Sequence, residues 1–265
     1  MPQESKPEQV RTVGQEARQE VAATRRRWYH LSRTAKSLLS IYAVVLVLFT
    51  VLAWLVHAYP VNQLDLLITR EFQENRTPWL HLLMTAISYP GSTPVLPALI
   101  VLAAVIFWAL GLRLEAVVIV GLSTVSAILD VLIKLLVARP RPAAGLVEML
   151  QRAMGSSFPS GHVLAYLAFW GLLFSLGVIL FTGWRWWRIL LLVVSGSFVV
   201  LVGPSRIYLG DHWASDVLGS YLIGGVLLGI TIGVYLRLKR EGVLQTERAR
   251  KTAQRSRLLR SFPRK

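Results

Sequence analysis

The sequence predicts an all-α, polytopic membrane protein, a bundle of six transmembrane helices. Of its 265 residues 54% are hydrophobic and only 16% are charged, and the mean hydropathy is +0.52. Soluble domains carry about 25% charged residues. Six segments approach the ~20 mainly apolar residues that a spanning helix needs. These observations exclude an ordinary soluble enzyme and a disordered chain.

The apolar segments divide the chain into one membrane domain with a basic segment at each end. The predicted spans are 38–58, 94–111, 116–137, 161–181, 189–206 and 213–236. We assign 1–37 to a basic N-terminal segment, 38–236 to the membrane domain and 237–265 to a basic C-terminal tail. The first span is longer than the apolar region of a signal peptide, so we expect an uncleaved anchor.

Charge predicts the orientation. Of the net charge of +15, the N-terminal segment supplies +4 and the C-terminal tail +9. Six spans place both termini on one side, and the positive-inside rule makes that side the cytoplasm. Segments 59–93, 138–160 and 207–212 then face outward. The chain has no cysteine, hence no disulfide or thiolate metal site, and we expect a multi-pass protein of a bacterial plasma membrane.

Three clusters of polar residues lie within or beside the predicted spans. They are Lys134 with Arg139-Pro140-Arg141-Pro142, then Pro159-Ser160-Gly161-His162, and finally Ser205-Arg206 with His212 and Asp216. Ionisable groups are costly at such positions and indicate function. Because the predicted topology brings all three clusters to the outer face, we expect one active site at the extracytoplasmic face.

The cations of these clusters indicate an anionic ligand. Lys134, Arg141 and Arg206 would repel one another unless an anion lay between them, and guanidinium groups match phosphate oxygens in pairs. Ser160 and Gly161 begin a predicted helix, whose free N–H groups also favour an anion. We therefore predict that these five residues bind phosphate.

Two histidines and one carboxylate add reactive groups. His212 and Asp216 are four residues apart, so they would lie one turn apart on one face of a helix. The carboxylate would fix the imidazole tautomer and leave the other ring nitrogen free to attack. His162 would act as a general acid. Three nearby cations oppose a divalent metal ion, and no HExxH spacing occurs, so we expect no metal and no other cofactor.

Structural explanations exist for single residues. Lys134 would reach the interface as many lysines do, or would pair with Asp130 one turn earlier. Ser160 would be a helix N-cap, and we predict Asp211 to be one. A lone histidine at a membrane interface is usually not a catalyst. The occurrence of all these residues on one face, with complementary chemistry, favours a site.

In these residues the sequence resembles the type 2 phosphatidic acid phosphatase (PAP2) superfamily, membrane lipid phosphatases related to vanadium haloperoxidases. The three parts of the family signature, K-x6-RP, PSGH and SR-x5-H-x3-D, all occur here in order. They are Lys134 to Arg141-Pro142, Pro159 to His162, and Ser205-Arg206 to His212 and Asp216. Arg139-Pro140 duplicates the RP pair, and the spacing favours Arg141. The resemblance covers roughly residues 60–236.

The resemblance implies a metal-independent reaction on a lipid phosphate. His212 would be the nucleophile that forms a phosphohistidine, Asp216 would orient it, and His162 would protonate the leaving group. The resemblance also implies that the five predicted phosphate-binding residues hold the phosphate. Candidate substrates are phosphatidic acid, phosphatidylglycerol phosphate and undecaprenyl diphosphate.

The depth of the site in the membrane independently favours a lipid, whose chains would stay in the bilayer. Apolar residues recur at helical spacing in segment 62–84, which would be an interfacial helix beside the substrate or a helix packed on the bundle.

Two other functions remain open. The same site would serve a lipid phosphotransferase, and a non-catalytic phospholipid binder or transporter would use the same scaffold. The partners that we expect are the lipid phosphate and the bilayer, and we find no motif for nucleic-acid recognition. The oligomeric state is not predicted.

Overall fold

The structure is a computed structural model that describes residues 36–150, 154–181 and 183–244. Residues 1–35 and 245–265 lie outside the described residues, so the assignment of two basic end segments stays a prediction. Residues 36–47 are helical and belong to a unit separate from the one that follows.

The regular elements of the described ranges are helices. They are α1 (Lys36–Ala58), α2 (Gln63–Glu74), α3 (Pro78–Ser88), α4 (Val95–Ala109), α5 (Arg113–Val137), α6 (Gly161–Leu180), α7 (Trp186–Tyr208) and α8 (Ala214–Glu241). A short 3-10 turn, Tyr89–Gly91, joins α3 to α4. The predicted all-α class is therefore confirmed for the described residues.

Five of these helices, α1, α5, α6, α7 and α8, are long and apolar enough to cross a membrane. The predicted span 94–111 corresponds to α4, which is only 15 residues long. Helix α3 with its turn, Pro78–Gly91, and helix α4 pass the same test together but are bent by 57°. The pair is a broken span or a re-entrant segment, so the count is five or six. The α3 part lies in segment 59–93, which is predicted to lie outside the membrane.

Buried apolar residues hold the helices together. One core joins α4, α5, α6 and α8 around Ile119 and Leu172, and a second joins α6, α7 and α8 around Val163 and Val202. A third core lies next to the start of α6, where the buried ring of Phe158 packs with residues of α1 and α5. Together these cores pack α5, α6, α7 and α8 against one another.

Helix α2 is amphipathic in the opposite sense to a helix on a soluble protein. Its buried residues are Asp65, Thr69 and Gln73, each one turn after the last. Its exposed residues include Leu64 and Leu67, whose exposed fractions are 71% and 62%, together with the charged residues Arg70, Glu71 and Glu74. An exposed side that carries leucines beside charged residues, over a polar buried side, fits a helix at the boundary between lipid and water. This pattern favours the interfacial helix over a helix simply packed on the bundle.

Candidate active site

The three motifs meet at one end of the bundle. Lys134 lies in the last turn of α5, Gly161 begins α6, and Arg206 lies in the last turn of α7. His212 lies in the turn between α7 and α8. Nζ of Lys134 lies next to Gly161, and Nη1 of Arg141 lies 3.3 Å from Nε2 of His212. The His212 N–H donates to the Arg206 carbonyl at 3.4 Å. The structure thus brings the predicted site residues into one neighbourhood.

The turn after α7 places His212. Gly210 has φ +75°, and a Cβ atom there would collide with the carbonyl oxygen of Glu148, so the turn requires glycine. The N–H groups of Asp211 and His212 donate to the carbonyl of Arg206 at 3.2 and 3.4 Å. The chain therefore folds back towards the end of α7, with the His212 ring only 2% exposed.

Two local predictions about this turn were wrong. Helix α8 begins at Ala214, so His212 precedes the helix and does not share it with Asp216. The N-cap residue is Trp213, whereas Asp211 pairs with Arg206 at 2.5 Å. The Asp216 carboxylate closes the first turn of α8 by accepting the Trp213 N–H at 2.9 Å. A buried carboxylate at this helix start displaces Asp211 from the capping role.

The imidazole of His212 lies between a carboxylate and a guanidinium. Its Nδ1 is 3.5 Å from Oδ2 of Asp216. On the other side, Nη1 of Arg141 lies 3.3 Å from Nε2 of His212 and donates to the carbonyl of Asp211 at 2.8 Å. With the proton on Nδ1, the Nε2 lone pair faces the cationic side of the site.

The start of α6 contributes backbone groups and the small residues Ser160 and Gly161 to the candidate site. The Ser160 N–H donates to the Asp216 carbonyl at 3.3 Å, which joins the second motif to the third. Ser160 occupies the N-cap position without a capping hydrogen bond from its side chain. Gly161 lies against Lys134, because a Cβ atom there would be 3.0 Å from Nζ of Lys134 and from Oδ2 of Asp130. Lys134 also pairs with Asp130 at 2.7 Å, as one structural explanation expected.

Arg206 is held by two residues that are not among the predicted site residues. Arg206 is 3% exposed, and its guanidinium pairs with the Asp211 carboxylate and donates to the Ser88 hydroxyl, each at 2.5 Å. Ser88 is the last residue of α3 and is 118 positions away in the sequence. No local pattern could have indicated this contact.

His162 packs against the turn between α3 and α4. A Cβ atom on Gly91 would lie 2.5 Å from Cδ2 of His162 and 2.6 Å from a ring carbon of Tyr166. Tyr166 is buried, and its hydroxyl donates to the Ile87 carbonyl at 2.6 Å. Gly91 therefore allows the backbone to approach the imidazole closely and to limit its position.

The two arginines of the duplicated RP pair have different surroundings. Arg139 has a fully buried side chain and bonds to Asp65 and Asp216. Arg141 is partly exposed and reaches the Nε2 side of His212. The sequence spacing favours Arg141 for phosphate binding. Of the two arginines, Arg141 is the one that lies beside Nε2 of His212.

Burial and charge alter the acid–base properties of the turn. Burial, followed by the positive charges of Arg206, Arg141 and Lys134, holds the pKa of His212 well below its ordinary value, against the opposing effect of the Ser157 backbone. The imidazole therefore stays neutral, which is its nucleophilic form. Burial raises the pKa of Asp211, against the effect of Arg206 and Arg141. Among the described residues, no three or more His, Asp or Glu side chains are grouped so as to hold a metal ion.

The chain is similar to known proteins in sequence and in structure. The sequence profile of the PAP2 superfamily matches residues 114–240, which include all three motifs. Phosphatidylglycerophosphatase B of Bacillus subtilis is 27% identical over 192 residues, covering 72% of this chain and 93% of that protein. The crystal structure of a transmembrane PAP2-type phosphatidylglycerolphosphate phosphatase from Bacillus subtilis matches with a TM-score of 0.64 and 26% identity. That match covers 75% of this chain and 98% of the other. The predicted family resemblance is confirmed.

Proposed function

We propose that this chain is a member of the PAP2 superfamily, a multi-pass membrane phosphatase that cleaves a lipid phosphate or diphosphate through a phosphohistidine, without a metal ion. One observation carries the proposal. His212 is buried with a lowered pKa, its Nδ1 is 3.5 Å from Asp216, and its Nε2 faces a guanidinium. This is the setting of an oriented nucleophile beside an anion site.

In the proposed reaction the phosphate lies among Lys134, Arg141 and Arg206, with Ser160 and Gly161 against it. Nε2 of His212 attacks phosphorus, and the bond from phosphorus to the leaving oxygen breaks. His162 gives its proton to that oxygen. Water then attacks phosphorus, neutral His162 accepts the proton of the water, and the P–N bond breaks to release inorganic phosphate. The three cations stabilise the charge that develops on the phosphate oxygens in both steps.

The proposed site lies at the outer face of a six-span protein with both termini in the cytoplasm. Counting α3 and α4 as one broken span gives six, and the positive-inside rule, applied to the basic end segments of the sequence, supports this orientation. The lipid phosphate would enter from the outer leaflet while its chains remain in the bilayer. The named relatives make phosphatidylglycerol phosphate the first substrate to test, with phosphatidic acid and undecaprenyl diphosphate as alternatives.

Release of inorganic phosphate from these three lipids, with EDTA present, tests the proposal. We expect release from at least one lipid and its loss in His212→Ala. His81→Ala is the matched control, because His81 is an exposed histidine on α3 without a place in the site. Normal turnover by His212→Ala would contradict the mechanism, and release abolished by EDTA would contradict metal independence.

A second experiment, with a labelled donor lipid and an acceptor lipid, separates hydrolysis from the other functions that use this scaffold. A phosphotransferase would pass the label of a ³²P-labelled donor to an acceptor lipid. A binder or transporter would retain the lipid without turnover. Label that appears as inorganic phosphate supports the phosphatase.

A further inference from the structure

A chain of buried ionic groups runs from α2 to the start of α8. Nη2 of Arg139 lies 2.7 Å from Oδ2 of Asp65, and Nη1 lies 2.5 Å from Oδ1 of Asp216. The side chains of Arg139 and Asp216 are fully buried, and that of Asp65 is 3% exposed. The three residues come from different elements, because Asp65 is on α2, Arg139 follows α5, and Asp216 is on α8.

The donors of Arg139 are directed at this network and away from the phosphate site. Nε donates to the Pro60 carbonyl at 2.9 Å, and Nη1 also donates to the Ser215 hydroxyl at 2.7 Å. Asp65 is itself fixed, since its carboxylate accepts the N–H of Ser215 at 2.9 Å and the Ser215 hydroxyl at 2.6 Å. Arg139 is therefore held at several points in one orientation.

The two oxygens of Asp216 have separate tasks. Oδ1 bonds to Arg139, whereas Oδ2 accepts the Trp213 N–H and lies 3.5 Å from Nδ1 of His212. A carboxylate turns about its Cβ–Cγ bond as a unit, so a guanidinium that fixes Oδ1 also fixes where Oδ2 points. The position of Arg139 thus determines which oxygen faces the imidazole.

We propose that Arg139 and Asp65 are positioning residues of the reaction, which hold the Asp216 carboxylate so that it orients His212. This inference rests on the proposed function of His212. It separates the duplicated arginines by role, with Arg141 at the phosphate and Arg139 behind the nucleophile. It also makes α2, which lies outside the three motifs, a part of the catalytic structure.

Arg139→Lys tests the proposal, because it keeps the positive charge but removes the planar group that bridges both carboxylates. We expect kcat to fall by about 10- to 100-fold, the usual effect of a misplaced group behind a reacting residue. The KM and the inhibition constant for inorganic phosphate should stay within about threefold, since Lys134, Arg141 and Arg206 are unchanged. Asp65→Asn should lower kcat in the same way but less, because the amide oxygen still accepts from Arg139.

Two exposed residues of α2 provide matched controls. Arg70→Lys and Glu71→Gln make the same chemical changes on the same helix, and we expect wild-type kcat and KM from both. Should Arg139→Lys fail to fold, Asp65→Asn carries the test. An unchanged kcat in a folded variant would overturn the proposal, and so would a raised KM at constant kcat.

Nitrogen-15 NMR of histidine-labelled protein gives a readout that does not depend on turnover. We expect the His212 imidazole signals of wild-type protein to show the Nδ1–H tautomer and to shift in Arg139→Lys but not in Arg70→Lys. Unmoved signals would overturn the positioning role even if the enzyme were active. Absence of phosphate release from wild-type protein would instead refute the proposed function, while shifted signals would still support the link from Arg139 to His212.

Discussion

Replacement of Gly91 by alanine should displace His162, the proposed general acid. The added Cβ atom would lie 2.5 Å from Cδ2 of His162 and 2.6 Å from Tyr166, whereas ordinary contacts are 3.4–4 Å. The imidazole must therefore move by about 1 Å, because Tyr166 is buried and held by its hydrogen bond to Ile87. A displacement of that size costs about 100-fold in rate, or about 2.7 kcal/mol in activation free energy.

Steady-state phosphate release and thermal unfolding in the same detergent would measure this effect. Gly121→Ala is the control, because a Cβ atom on Gly121 of α5 meets no atom within 4 Å. We expect Gly121→Ala to keep wild-type kcat and to gain about 0.5–1 kcal/mol of stability, as alanine does in a helix. Gly91→Ala should lose kcat with a smaller change in KM, since the cationic groups are untouched.

A folded Gly91→Ala protein that keeps the wild-type kcat would refute the displacement of His162. The turn between α3 and α4 would then be able to retreat, and the imidazole would not depend on it. A lower melting temperature with unchanged kcat would show that the crowding is absorbed by Tyr166 and not by His162.

Three further outcomes follow from the geometry. The pKa of His212 is held well below 6.5, so kcat/KM should not fall as the pH decreases through 6.5. A bell-shaped profile whose acid limb lies at or above 6.5 would contradict the assignment of His212 as the nucleophile. Lys134→Met should raise KM and the phosphate inhibition constant about tenfold, while Lys239→Met, at the opposite end of the bundle, should leave both unchanged. Glu115→Gln should lower the unfolding free energy by about 1–3 kcal/mol without changing kcat, because Glu115 accepts from Tyr235 and Lys239, each at 2.7 Å. The exposed Glu241→Gln, measured by the same thermal unfolding, should cost less than about 1 kcal/mol.

The elements that the sequence predicted best are those with strong local signals. Runs of apolar residues indicated α1, α5, α6, α7 and α8 to within a few residues of their ends. The weakest prediction concerned α3 and α4, because a bend of 57° divides their apolar residues between two helices. Neither part alone reaches the length of a span.

The residues of the candidate site also differ in how clearly the sequence indicates them. Residues with a fixed spacing, such as His212 and Asp216, are visible in the sequence as a pattern. Arg139 has its partners 74 and 77 positions away, and Ser88 meets Arg206 at 118 positions. Such contacts are set by how α2, α3 and α8 pack, and a charge in a loop carries no sign of which distant carboxylate it will meet.

The reversed amphipathicity of α2 has a practical consequence for biochemistry. Its leucines need an apolar environment, while Asp65 on its other face holds Arg139. A detergent that covers this helix poorly would weaken the packing of α2 on the bundle. The Asp216 carboxylate, which Arg139 holds beside His212, would then become less well ordered. Activity in micelles would then vary with the surfactant even when the enzyme remains folded. Kinetic constants are best compared in lipid nanodiscs, where a leaflet of defined thickness supports this helix.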